Sequence, residues 1–275
     1  MKATEILAQS SMPIASPSYP RGPYRFVDRE YLIVTYKSDP DAIREALPEP
    51  LEPDGSDTVL YECIRMPDSA GFGNYTESGV VIPALLHGEH VNFTAQMYLD
   101  DEPPIAGGRE IWGFPKKNAK PRLDICHDTL TGVLVYAGVT VAIATMSYKH
   151  QHLLYDVAGR KACSSKSIVS KMSATQVNLK LIPDVDGSLA IAQLVAYNLS
   201  DIQVKGAWSG PARLQLNAHV NAPVADLPVR EVIGGLHFIA DLTLPYGRVV
   251  HDYKRATAEK PSPAIQYVDC SGGFG

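Results

Sequence analysis

Two adjacent lysines, Lys116 and Lys117, close the segment Gly108-Arg109-Glu110-Ile111-Trp112-Gly113-Phe114-Pro115-Lys116-Lys117. A lysine amine is a nucleophile only when neutral. Its ordinary pKa of about 10.4 leaves roughly one amine in a few thousand neutral at pH 7. A lysine that attacks a carbonyl therefore needs surroundings that penalise its charge. Full burial lowers a lysine pKa by about 3–5 units. A second cation about 6 Å away, at an effective dielectric of about 20, lowers it by about 2 units. Desolvation has the larger reach, and Trp112, Phe114 and Pro115 supply apolar bulk for it.

The geometry of the pair decides between these effects. In extended chain, Lys116 and Lys117 point to opposite faces, and burial must do most of the work on Lys116. In a turn, the two ammonium groups converge. Phe114, just before a proline, is biased toward extended backbone, although the lysines after it are not fixed by that. The extended reading is preferred. The plain alternative is a solvated surface pair.

Glu62 also stands out on local grounds. In a strand it shares a face with Leu60, Ile64 and Met66. A carboxylate on an apolar face costs several kcal/mol unless paired or neutral. Glu62 is therefore part of a site, or the strand register is misassigned.

Around these residues the chain predicts many strands and few helices. A short amphipathic helix fits residues 3–10, and prolines 13, 17, 20 and 23 make an extended arm of residues 1–23. Strands are expected over 31–36, 58–66, 92–98, 123–126, 132–136, 139–146, 177–182, 189–197, 202–208, 212–216, 237–244 and 248–253. Val91, Phe93, Ala95 and Met97 are expected on one face of their strand. Asp39 and Pro40 read as an N-cap and first turn of a helix to about Leu47. The glycines of residues 71–79 suggest a loop, carrying Glu77, and a short helix fits Val229 to Ile233. Ala137-Gly138 and the 183–188 segment read as hairpin turns. The whole predicts a mainly β (α+β), single-domain, antiparallel architecture with a few peripheral helices. Residues 1–254 form the domain, and 255–275 read as a loose C-terminal tail.

Composition excludes several classes. The chain has 275 residues, a formal net charge of −5 and 45% hydrophobic residues, which argues for a globular fold and against a nucleic-acid surface. Cys63, Cys126, Cys163 and Cys270 show no CxxC or zinc spacing, which suits a reducing cytoplasm. No apolar stretch approaches a membrane span of about 20 residues, and no secretory signal is evident at the start. His87-Gly-Glu-His90 and His150-Gln-His152 have metal-like spacing without an evident third ligand. No phosphate-binding loop, dinucleotide fingerprint or nucleophile elbow is found, so no cofactor and no metal are expected.

The segment from Gly108 to Lys117 resembles the signature of acetoacetate decarboxylase. So do Pro17-Ser-Tyr-Pro-Arg-Gly-Pro-Tyr-Arg-Phe26, Arg29-Glu-Tyr31, Pro48-Glu-Pro-Leu51, Tyr75-Thr-Glu-Ser-Gly79, Met97-Tyr-Leu-Asp-Asp-Glu-Pro103, Ala144-Thr-Met-Ser-Tyr-Lys-His150 and Trp208-Ser-Gly-Pro-Ala-Arg-Leu-Gln-Leu216. Each piece is short; their order from about Ser16 to Lys254 makes the resemblance specific. That family is itself the standing example of a lysine activated by desolvation or a cationic neighbour. The resemblance implies a closed, cone-like β-barrel and a large homo-oligomer, a dodecamer. It implies a small keto-acid substrate, acetoacetate, turned into acetone and CO2 through a Schiff base on Lys116. It maps the family's active-site arginine onto Arg29 and its two glutamates onto Glu62 and Glu77, with Glu77 nearer the reacting centre. Phe26, Met97 and Phe114 are expected to line the pocket, and Lys117 is auxiliary. Two alternatives share the fold: a Schiff-base aldolase or dehydratase acting on another keto acid, and a non-catalytic keto-acid binder.

Overall fold

The computed structural model describes residues 1–155, 159 and 164–258. In chain order the strands are β1 (Tyr24–Lys37), β2 (Leu51–Pro53), β3 (Thr58–Ser69), β4 (Gly73–Leu86), β5 (Glu89–Leu99), β6 (Lys116–Asn118), β7 (Lys120–Cys126) and β8 (Thr129–Tyr136). They continue as β9 (Val139–Ser147), β10 (Gln151–His152), β11 (Gln176–Pro183), β12 (Leu189–Tyr197), β13 (Ser200–Gly210), β14 (Ala212–Leu216), β15 (Glu231–Leu244) and β16 (Arg248–Asp252). Among the described residues five α-helices accompany them: α1 (Ala3–Leu7), α2 (Pro40–Ala46), α3 (Glu102–Gly107), α4 (Ser164–Met172) and α5 (Tyr253–Ala258).

Twelve strands form one sheet in the order β10-β13-β15-β1-β3-β4-β5-β11-β12-β16, with β2 on β4 and β6 on β5. A second sheet has the order β14-β9-β8-β7. The alternation of β1 shows how the layers are made. Leu32, Val34 and Tyr36 pack with Leu130, Leu134 and Val141 of the small sheet in one core. Tyr31 joins Ile64, Phe114 and Phe238 in a second, aromatic-rich core, and Tyr31, Ile33 and Thr35 line a cavity. The large sheet thus has a packed outer face and a cavity-lining inner face. Close packing of the layers requires Gly132, since a Cβ there would lie 2.2 Å from Cys63 Sγ.

Several expectations need correction. The sheet is mixed, because β5 pairs in parallel with both β6 and β11. Residues 73–79 are strand, not loop: Glu77 is opposite Ile64 and Leu99 in the ladder, and three glycines masked the strand-forming Tyr75 and Thr76. Val232 and Ile233 belong to β15 rather than a helix. A bulge at Ala95, where Val80 pairs with Gln96 but Val81 with Thr94, resets the alternation of β5. Met97 therefore joins Asn92 and Thr94 on the cavity face, not Val91 and Phe93. Helix α1 buries no residue, and Asp39 forms no cap bond because Arg230 holds its carboxylate at 2.6 and 2.5 Å. Helices α3 and α4 were not anticipated: α3 is only six residues long, whereas α4 places Ile168 and Met172 four residues apart on one face.

The hairpin reading at Ala137-Gly138 holds, with φ of 48° and 83°, a left-handed pair matched to strand twist. Residues 8–23 carry neither helix nor strand, yet Tyr19 is buried, and the Ser10 and Ser11 hydroxyls donate to its carbonyl. The expected boundary at 254 falls within α5, and residues 259–275, like Cys163 and Cys270, lie outside the described residues. Among the described residues no helix is long and apolar enough to cross a membrane.

Candidate active site

Arg29 reaches the cavity through a bulge in β1. Asp28 has φ of 53° and no ladder partner, so Phe26, Arg29 and Tyr31 all face the cavity instead of alternating from residue 27. The Asp28 N–H donates to Asp241 Oδ1 at 2.9 Å, and Lys205 Nζ bonds Asp28 and Asp241 at 2.6 Å each. These outer-face contacts hold the bulge in place.

Lys116 arrives from the other side. After α3, residues Gly108–Trp112 form a wide, π-type turn that ends at Gly113 with φ of 76°. Only glycine fits there, because a Cβ would lie 2.4 Å from Lys180 Cβ. Trp112 anchors the turn: it is buried, and its Nε1–H donates to Pro245 O at 2.9 Å. Pro115 then releases the chain into β6, where Lys116 pairs with Met97 and Lys117 with Tyr98. Strand alternation separates the two amines. Lys116 lies 5.0 Å from the Phe114 ring centre and 5.7 Å from that of Tyr75. Lys117 is exposed; its Nζ sits 5.0 Å over Tyr136 and donates to Asn221 O. The Lys116 stem lies directly on Gly108, where a Cβ would meet Cδ at 2.7 Å, Cε at 2.9 Å and Nζ at 3.1 Å.

The charged groups converge in a cavity of about 690 Å³. Glu77 is the bridge: its Oε1 accepts from Arg29 Nη2 at 3.2 Å, and its Oε2 lies 3.4 Å from Lys116 Nζ. The second contact is within ion-pair range but lacks hydrogen-bond alignment. Lys116 is 6% exposed and Glu77 3%. The Arg29 guanidinium stacks 5.1 Å from Phe26 and 4.9 Å from Tyr31. Glu62 lines the same cavity with Leu60 and Ile64. Its carbonyl accepts from Ser78 Oγ at 3.0 Å, while its carboxylate forms no hydrogen bond or ion pair with a described residue.

Burial pushes the Lys116 amine below its ordinary pKa; Glu77 opposes this and Arg29 reinforces it. The cation that helps is therefore Arg29, not Lys117. Burial disfavours the Arg29 charge, but Tyr31 and Glu77 favour it and the net direction is upward. Burial pushes Glu62 up to about 7, with Arg29 opposing and Glu77 adding to the rise. Tyr31, Tyr75 and Tyr197 are all raised by burial and stay neutral. The folded chain thus keeps the Glu62 proton from the ordinary 4.5 up to about pH 7, where the unfolded chain has released it. Stability from this group falls as pH rises through that window. Glu62→Gln is expected to be more stable than the parent above pH 7, by up to about 3 kcal/mol, and to converge with it below 4.5. Denaturant titrations at pH 4 and pH 8 measure this; an equal difference at both would contradict the raised pKa.

Every residue expected at the site lines the cavity except Lys117: Phe26, Arg29, Glu62, Glu77, Met97, Phe114 and Lys116 do. Tyr75 and Tyr197 also line it and were not anticipated in that role. Tyr75 lay within a quoted motif next to Glu77, whereas nothing local distinguishes Tyr197. Helix α4 adds Ile168, Lys171 and Met172. Among the described residues no three His, Cys, Asp or Glu side chains could share a metal ion.

An α+β fold whose inner face encloses a buried amine beside an arginine and two carboxylates defines the class. Comparison with known proteins narrows it. The family model for acetoacetate decarboxylase matches residues 11–254. A protein named acetoacetate decarboxylase from Acidiphilium cryptum (strain JF-5) is 54% identical over 243 residues, 88% of this chain and 95% of its own. The crystal structure of acetoacetate decarboxylase from Legionella pneumophila superposes with a TM-score of 0.84 at 45% identity, covering 92% of this chain and 97% of that one. A further solved structure, from structural studies of acetoacetate decarboxylase, gives 0.86 at 43% identity over 92% and 99%. The chain belongs to the acetoacetate decarboxylase family.

Proposed function

We propose that this protein decarboxylates acetoacetate to acetone and CO2 through a Schiff base on Lys116. The observation that carries the reading is the Lys116 amine itself: buried, pushed below its ordinary pKa, and 3.4 Å from a carboxylate that also holds Arg29. Neutral Lys116 adds to the ketone carbon, the adduct takes up a proton from solvent, and loss of water leaves a protonated imine. Arg29 takes the substrate carboxylate through its guanidinium donors. The bond between the carboxylate carbon and its neighbour then breaks. Its electron pair forms the enamine double bond, the imine nitrogen becomes neutral, and CO2 leaves. Protonation of the enamine carbon gives the imine of acetone, and water releases acetone and the amine.

Glu77 orients the imine nitrogen by its position between Lys116 and Arg29. Glu62, titrating near neutrality on the cavity wall, supplies the proton that the enamine carbon takes up and that leaves in acetone, and it regains a proton from solvent. The apolar surroundings favour loss of a charged carboxylate as neutral CO2. Phe26, Met97 and Phe114 form the dry wall, and Lys117 serves as an outer tether to residue 221.

The reading extends to the assembly. The large sheet forms the wall of a closed, cone-like β-barrel, in a cytoplasmic homo-oligomer of dodecamer size. Residues 1–254 form one domain with 1–23 as its arm, and 255–275 a tail. The family match over 11–254 supports this domain reading. Direct assay tests the activity: acetone and CO2 should appear in equal amounts from acetoacetate. Turnover of pyruvate with an aldehyde in place of CO2 release would overturn it.

A further inference from the structure

Behind Arg29, on the outer face of the large sheet, lies a buried polar cluster that the cavity chemistry does not use. Glu30 follows Arg29 in β1 and points to the opposite face. It is 4% exposed, and His237 of β15 is fully buried. His237 Nε2 lies 2.9 Å from Glu30 Oε1, and Arg65 Nη2 donates to Glu30 Oε2 at 2.6 Å. Burial alone would raise Glu30, but the bond from His237 and the Arg65 charge bring it below its ordinary range. Glu30 is therefore a carboxylate, and His237 Nε2–H is the donor.

The histidine ring is stacked 5.0 Å from Trp208 and tilted 5.5 Å from Tyr148. Lys149 Nζ covers the same two aromatics at 4.7 and 5.1 Å. Glu30, Tyr148, Lys149 and Trp208 come from three of the segments that carried the family resemblance, and none of them lines the cavity. The cluster is not simple packing. His237 Nδ1 is buried without a hydrogen-bond partner, which costs about 1–3 kcal/mol that an apolar ring would avoid.

The ladder shows what the Glu30 contacts fix. On the β3 side, Val27 pairs with Asp68 and the next pair is Glu30 with Arg65, so Asp28 and Arg29 have no partner there. On the β15 side, Phe26 pairs with Leu242 and the register resumes at Arg29 with Ala240. Glu30 is the first residue after the bulge whose side chain grips both neighbours, β15 through His237 and β3 through Arg65. A change in its grip moves Arg29 with it, since the two share a peptide bond.

We propose that Glu30 and His237 are positioning residues for Arg29, fixing where its guanidinium meets the substrate carboxylate. This rests on the reading of Arg29 as the carboxylate contact. The test compares acetoacetate with acetylacetone, a neutral analogue that carries an acetyl group in place of the carboxylate. In the full-length protein, His237→Phe keeps the ring and its stacking but removes the hydrogen bond. It is expected to raise KM for acetoacetate by about tenfold or more while enamine formation with acetylacetone changes by less than about twofold. In an Arg29→Gln background, His237→Phe should have no further effect on acetoacetate. Equal losses on both ligands, or losses that add to those of Arg29→Gln, overturn the proposal. If His237→Phe does not fold, Glu30→Gln reads the same split at smaller size, and equal losses there overturn it too. If Arg29→Gln itself fails to distinguish the two ligands, the carboxylate role of Arg29 falls along with this inference.

Discussion

Lys116→Met is expected to reduce kcat/KM for acetoacetate by a factor on the order of 10⁵ or more, while the protein stays folded. The methionine stem fills the volume that Lys116 occupies against Phe114 and Tyr75, and it removes a buried amine whose desolvation opposes folding. What disappears is the only group in the account that forms a bond to substrate. The partner it leaves behind, Glu77, keeps its 3.2 Å contact to Arg29. Steady-state kinetics with a thermal melt on the same sample check both halves. Residual turnover within about a hundredfold of the parent would remove Lys116 from its role as nucleophile.

Gly108→Ala separates activity from stability. A Cβ at 108 would come within 2.7 Å of Lys116 Cδ and 2.9 Å of Cε, so one of them must move. Those atoms are the far end of a flexible side chain, and the fold can shift them at little cost. Gly108 itself starts a right-handed turn, with φ of −61°, so alanine introduces no backbone strain. The side chain displaced carries the proposed nucleophile, however, and a misplacement near 1 Å costs about 10²-fold in rate. The expected result is a fall of about that size in kcat with a melting temperature close to the parent. Unchanged kcat would mean that the stem of Lys116 need not lie where it does.

How much of this site could be read from the chain depends on the distance over which each fact is decided. The separation of Lys116 from Lys117 is local: extended chain after Pro115 puts them on opposite faces, and β6 does so. Glu62 announced itself as a carboxylate among apolar strand neighbours, and it lines the cavity with Leu60 and Ile64. Met97 was expected in the cavity but on the wrong face of its strand, because the bulge at Ala95 is set by pairing with β4 rather than by its own sequence. The bulge at Asp28 was likewise hidden. It depends on Asp241 and Lys205, more than 170 residues away in the chain.

Glu77 illustrates a different failure. Glycines at 71, 73 and 79 suggested a loop, yet Gly79 lies within β4, where a Cβ would come 3.1 Å from Gln96 O. Tightness of the sheet, not conformational freedom, accounts for that glycine. Tyr197 reaches the cavity through tertiary packing alone, whereas Ile168, Lys171 and Met172 stand at helical spacing on one face of α4, a local pattern that does not show what the face packs on. The identity of the cation beside Lys116 also needed three dimensions: an adjacent lysine is the obvious candidate in sequence, and Arg29, 87 positions away, is the one that acts.

The proposed reaction stands on an imine between Lys116 and the ketone. Incubation with acetoacetate and borohydride, followed by peptide mass mapping, tests it directly. The expected result is irreversible inactivation with one isopropyl group, from the reduced acetone imine, on Lys116 and none on Lys117. A label on another residue, or full decarboxylase activity surviving the treatment without any label, would contradict it.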